Sequence, residues 1–194
     1  MKKETPLDFP VDDLISQRWS SRAFDPSFFL DEKAMCSLFE AARWAPSCYG
    51  DQPWKFIAYN KQDATAWARI LNCLSVGNQN WAMDASLLIV VCANTKFNHN
   101  GEPNRFGQYD TGAAAENLCL QATSMGLSAH QMGGFNSEKT RELAKVPKDF
   151  DIMACIAVGR ALNEEDLSVE QKEKESVQRK RKPINEIYSI NEWK

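Results

Sequence analysis

The chain moves between two hydrophobic rhythms. Residues 86–93, SLLIVVCA, are its longest apolar run; their length and β-rich composition predict a strand covered on both faces. DIMACIAVGR (151–160) predicts a second buried strand, WKFIAYN (54–60) a third, and LSAHQMGGF (127–135) a strand that runs into a Gly-Gly turn. Between these stretches the apolar period lengthens to that of a helix. In DEKAMCSLFEAARWA (31–45), Met35, Leu38, Phe39 and Ala42 fall at i, i+3, i+4 and i+7, one stripe of a helix. Pro46 stops it, because proline cannot continue the hydrogen-bond ladder. DTGAAAENLCLQATSMG (110–126) predicts the longest helix, with Ala114, Leu118, Ala122 and Met125 on one stripe and Gly126 as its C-terminal stop. The small residues at 112–115 would let another helix or a ligand come close.

Three further helices complete the pattern. VDDLISQRW (11–19) follows Pro10, with Asp12 and Asp13 placed favourably to the helix dipole. DATAWARILNCL (63–74) is helical, and NSEKTRELAKV (136–146) is a helix capped by Asn136 or Ser137. NHNGEPNRFGQY (98–109) predicts a loop. From residue 163 the chain becomes highly charged, in the manner of a solvated linker or helix face, before INEIYSINEW turns partly apolar again. No repeat and no domain boundary interrupts the chain, so residues 1–194 are expected to form one domain.

Composition narrows the function. The 194 residues are 43% hydrophobic and 25% charged, ordinary for a soluble globular protein. A net charge of −3 argues against a nucleic-acid partner, which usually meets a basic face. MKKETPLDFPVDD lacks the apolar segment of a signal peptide, and no run approaches the roughly 20 residues that cross a bilayer. A cytoplasmic protein with no membrane partner is therefore expected. The six cysteines form no CxxC pair and there are two histidines, so no metal site is expected. Cys36, Cys92, Cys119 and Cys155 lie in apolar patterns, where a free thiol acts as a small hydrophobe.

Four stretches can carry chemistry. In QRWSSRAFD, Arg18, Ser20 and Arg22 alternate, so an extended segment would point them to one side, as a phosphate cradle would need. Equally, they can be surface arginines paired with Asp12, Asp13 or Asp25. The basic run RKRKP carries Arg179 and Arg181, either joining that cradle to bind a phosphate monoester or forming a plain surface run. No P-loop and no GxGxxG is present. In ARWAPSCYGDQPWKF, Pro46, Gly50 and Pro53 fix a backbone surrounded by Trp44, Tyr49 and Trp54, suited to a flat ring; Trp44 and Trp54 themselves are expected rather as core residues of the flanking helix and strand. HQMGGF offers backbone N–H groups at Gly133 and Gly134, or is simply a loop.

In this order and spacing, RWSSRAFD, APSCYGDQPWKF, DTGAAAENLCLQATSMGL with HQMGGF, and AVGR followed by RKRKPINEI resemble the nitroreductase family of FMN-dependent oxidoreductases. The resemblance spans nearly the whole chain and implies an α+β fold, a three-layer α-β-α sandwich forming an intertwined homodimer. The C-terminal extension, from about residue 163 to 194, would pack on the partner subunit. Arg18, Trp19, Ser20 and Arg22 would bind the FMN phosphate and ribityl chain, joined at the phosphate by Arg179 and Arg181. Pro46 and Ser47 would lie along the flavin ring of the partner subunit, and Gly133 and Gly134 would supply donors near the N5/O4 edge. Many relatives carry Asn where this chain has Gly50.

The implied activity is FMN-dependent transfer of hydride from NADH or NADPH, through flavin N5, to a nitroaromatic, quinone or similar small-molecule acceptor by a ping-pong mechanism. The flavin carries that chemistry, so no catalytic side chain is required. Trp81 and Phe106 are candidates for stacking on substrate, or else core residues. Two other readings compete: a non-enzymatic FMN-binding or flavin-sequestering protein, and thiol catalysis with Cys48 as nucleophile and His130 as base. The last is disfavoured because Cys48 follows a helix C-terminus, whose dipole opposes a thiolate.

Overall fold

In a computed structural model that describes residues 6–193, the core is a four-stranded sheet ordered β1-β2-β4-β3, every pair antiparallel. The strands are β1 (Trp54–Asn60), β2 (Leu87–Asn94), β3 (Ser128–Met132) and β4 (Phe150–Gly159). The expected single domain also includes residues 1–5 and Lys194, which lie outside the described residues.

The long apolar run takes the centre. Successive side chains of a strand face opposite sides, and on β2 this splits the run between two cores. Leu87, Ile89 and Val91 face one cluster with Leu38, Ala42, Ala114, Leu118 and Ile156. Leu88, Val90 and Cys92 face another with Trp67, Ile70, Ala82, Cys155 and Ala157. A helical layer therefore covers each side, which is the α-β-α sandwich. Burying a Leu or Ile at such a position contributes about 1.5–3 kcal/mol.

The first layer is α2 (Glu32–Arg43) and α5 (Gly107–Ser124); the second includes α3 (Ala64–Leu71), α4 (Val76–Ala82) and α6 (Ser137–Ala144). Side-chain caps from Asp31, Asp63 and Asn136 start α2, α3 and α6. The helix expected over 63–74 is α3, which ends at Leu71, and α4 begins beyond that pattern at Val76. The expected first helix is a single short turn, α1 (Asp13–Gln17). The loop expected at 98–109 yields its last residues to α5. Gly107 starts that helix because its backbone lies so close to Asn94 that a Cβ would stand 2.2 Å from the Asn94 carbonyl oxygen.

Beyond β4 the charged segment forms α7 (Val169–Glu175), begun by a capping box of Ser168 and Gln171. Within it Glu175 is buried, as is Arg179 just beyond. Two expectations about single residues are corrected. Cys36 is exposed on the outer face of α2, while Cys73 joins Cys92, Cys119 and Cys155 in the interior. Trp44 is exposed rather than core, its indole N–H donating to Glu40 at 2.8 Å. Trp54 does pack against the first core.

Candidate functional site

The two basic segments, at opposite ends of the chain, meet. Arg18, Ser20, Arg179 and Arg181 line one cavity of about 500 Å³, together with Ser16, Glu116 and Gln131 and an apolar wall of Leu7, Val11 and Ile15. Arg18 Nη1 donates to Ser20 Oγ at 3.1 Å, so the guanidinium and hydroxyl point the same way. Arg179 Nη1 donates to the Arg18 carbonyl at 2.9 Å, and its other amino group donates to the Ser16 carbonyl. Its guanidinium also lies 5.7 Å from the centre of the Trp19 ring.

The electrostatics leave room for an anion. Burial, then the charges of Arg18 and Arg181, push the Arg179 guanidinium below its ordinary value. Arg179 Nε is buried without a hydrogen-bond partner. The carboxylate in the cavity is Glu116, 3.6 Å from Arg18 Nε. Burial pushes Glu116 upward, against the pull of Arg18. Converging guanidiniums, a hydroxyl and an orphaned buried N–H form a donor set that fits a phosphate group.

Two of the acids that could pair with the first arginines are engaged elsewhere. Asp25 pairs with Arg160 at 2.6 Å, and Asp12 caps α1. Arg22 departs from its expected side: it does not line the cavity and is exposed. Its backbone N–H donates to Glu175 Oε1 at 2.8 Å.

The remaining candidates lie outside that lining. Pro46 and Ser47 precede a 3-10 turn at Cys48–Gly50, where Ser47 Oγ accepts from the Gln52 N–H at 3.0 Å. Tyr49, Gly50 and Gln52 all have positive φ, at 56°, 65° and 51°. Gly50 therefore sits in the left-handed region, which glycine and asparagine enter most readily. The Cys48 N–H donates to Asp110 Oδ2 at 3.0 Å. Gly134 abuts the start of α4, where a Cβ would stand 2.6 Å from Asn78 Nδ2, while Gly133 has nothing within 4 Å of such a position. Trp81 packs between Phe24 and His130, its ring centre 4.5 Å from the imidazole. Phe106 precedes α5 with Arg105 over its ring at 4.3 Å.

His130 is buried and its Nδ1 lies 3.0 Å from the Ser21 carbonyl. A carbonyl only accepts, so Nδ1 carries the proton and the ring is fixed as that tautomer. Burial lowers its pKa, assisted by the Arg22 charge. Burial pushes the Cys92 thiol up to about 11 and those of Cys119 and Cys155 to about 12, leaving them as packing groups. Among the described residues no group of three or more His, Cys, Asp and Glu is placed to hold a metal ion, and no helix is long and apolar enough to cross a membrane.

Sequence reasoning missed Glu175 and Asp110, whose carboxylates hold the candidate segments by their backbone. Their long-range bonds join residues 153 and 62 positions apart, which no local pattern reveals.

Comparison with known proteins identifies the family of the chain. Protein DrgA of Synechocystis is 30% identical over 76% of this chain and 82% of its own length. An oxygen-insensitive NADPH nitroreductase of Helicobacter acinonychis is 25% identical over 89% of this chain and 92% of its own. A crystal structure of an oxidoreductase containing FMN superposes with a TM-score of 0.88 at 32% identity, covering 99% of this chain and 96% of that one. The profile of the nitroreductase family matches residues 15–160, and with the fold and the basic cradle now in view, this chain belongs to the nitroreductase family.

Proposed function

We propose that the protein is an FMN-dependent NAD(P)H oxidoreductase that works by a ping-pong cycle on nitroaromatics, quinones or related acceptors. The observation that carries this reading is the convergence of Arg18, Ser20, Arg179 and Arg181 on one cavity, with Arg179 Nε unpartnered there. When bound, FMN would supply the hydride and electron chemistry between nicotinamide and acceptor. The protein's own part is to bind and orient. Arg18, Ser20, Arg179 and Arg181 hold the phosphate, and the Trp19 and Arg22 backbone shapes the segment between them. Gly133, open to solvent, leaves its backbone approachable, and Gly134 keeps the turn against α4.

The same reading makes the protein a cytoplasmic homodimer in which Pro46 and Ser47 serve the partner's flavin and the segment from about residue 163 packs on the other subunit. Support comes from large apolar side chains that this subunit leaves in water, among them Val76, Tyr109, Ile187 and Trp193. Trp81 and Phe106 are the candidate acceptor contacts. Purified protein should be yellow, elute as a dimer and lose its flavin absorbance when either nicotinamide is added without oxygen. Protein that takes up FMN yet is reduced by neither would instead be a flavin-sequestering protein, and protein that takes up no FMN would end the proposal.

A further inference from the structure

The carboxylate of Glu175 stands behind the basic cradle and touches both ends of its N-terminal segment. Oε2 accepts the Trp19 indole N–H at 2.7 Å, and Oε1 accepts the Arg22 backbone N–H at 2.8 Å. Glu175 is the last residue of α7 and only 6% exposed. Desolvating a carboxylate is costly unless donors meet it, so this one is held where it can receive these two. The guanidinium of Arg179 lies over the Trp19 ring that Glu175 orients, 5.7 Å from the ring centre. Arg179 in turn donates to the carbonyls of Ser16 and Arg18. One closed circuit therefore runs from α7 through Glu175 to Trp19 and Arg22, and back through Arg179 to the C-terminal segment.

We infer that Glu175 is a positioning residue for phosphate recognition: it fixes the Trp19–Arg22 backbone and the Trp19 ring so that Arg18 and Ser20 meet Arg179 and Arg181 around one anion. It lines the neighbouring cavity and not the one bounded by Arg18, Ser20, Arg179 and Arg181, and acts through the residues it holds. The choice of acid follows from its task. Two N–H donors converge on two oxygens of one carboxylate, whereas glutamine offers a single acceptor oxygen and would turn its NH₂ toward one of those donors. This inference rests on the reading of the cradle as the FMN phosphate site.

The test compares FMN with riboflavin, which lacks the phosphate, by titrating each flavin's fluorescence into cofactor-free protein. Wild type, Glu175→Gln, Trp19→Phe and Arg181→Ala are measured alongside circular-dichroism melting. For Glu175→Gln, loss of a hydrogen bond to a charged group predicts an FMN dissociation constant raised about tenfold with riboflavin binding unchanged. Trp19→Phe, which removes one of the donors, is expected to show a smaller change of the same kind. Should Glu175→Gln not fold, that same phosphate-selective loss in Trp19→Phe carries the proposal, and its absence there overturns it. Equal weakening of both flavins, or none of either, in a folded Glu175→Gln would make the residue merely structural and overturn the inference, provided Arg181→Ala loses FMN selectively. If Arg181→Ala also fails to separate the two flavins, the cradle itself is misread and the inference falls with it.

Discussion

The backbone N–H of Cys48 donates to the carboxylate of Asp110 at 3.0 Å, pinning the turn after Pro46 and Ser47 to the first turn of α5. The bond uses the main chain of Cys48 and not its thiol. Cys48→Ala should therefore keep flavin binding and turnover within about twofold. Asp110→Ala leaves a half-buried N–H without its acceptor and should cost about 1 kcal/mol. Thermal melting and steady-state assays of the two variants check this contrast; equal damage from both would contradict it.

The guanidiniums around the cavity repel one another and attract an anion. Arg18→Ala is expected to weaken FMN binding at least tenfold, a loss typical of a charge-assisted hydrogen bond. It should also flatten the dependence of binding on salt, because one fewer charge is screened. Titrations at low and high ionic strength measure both effects.

His130 gives stability a pH dependence of known sign. Its folded pKa lies below the ordinary 6.5, so between the two values the unfolded chain binds more protons than the folded one. Its contribution is complete above about pH 6.5 and declines as the pH falls through that value toward the folded pKa. Melting temperature should drop between pH 7.5 and 5.5, and His130→Asn should show a shallower drop over the same interval. An unchanged slope would remove His130 as the cause.

Gly50, with φ of 65° and nothing within 4 Å of a would-be Cβ, is constrained by its backbone and not by space. Gly50→Asn should be tolerated within about 1 kcal/mol, since asparagine visits this conformation. Gly50→Val should cost about 1–2 kcal/mol more, the penalty of a left-handed β-branched residue. Chemical denaturation of the pair decides it.

Gly107 is the opposite case. A methyl there would meet the Asn94 carbonyl oxygen at 2.2 Å, a backbone atom that cannot swing aside. Gly107→Ala should destabilise by about 1–3 kcal/mol as β2 and α5 are forced apart. Ala at the exposed Gly112 of the same helix should be neutral or stabilising.

Which parts of this were legible in the sequence follows from the range of the forces involved. β1 spans the WKFIAYN run, and the stripe of α2 faces the core at Leu38 and Ala42, because period and burial are local properties. α5 starts at Gly107, ahead of the pattern that opens at Asp110, since Gly107 answers to Asn94 across space rather than to its neighbours. Arg18 and Arg179 could be paired through a family resemblance, yet nothing local in either segment says that 161 residues later one donates to the other's carbonyl. Arg22 shows the limit of alternation as a guide. Its main chain donates to Glu175, and its side chain is exposed outside the cavity lining.

The bond from Arg179 to the Arg18 carbonyl also sets an order of events in the life of the chain. A ribosome makes Arg18 and Ser20 before any strand of the sheet, and Arg179 and Arg181 only after all of them. The basic cradle is therefore completed only after every strand has been made. A nascent chain halted before residue 179 would already contain both cores but would lack the two arginines that the proposed phosphate site requires, so on that reading an anionic cofactor is captured only after the sheet is complete.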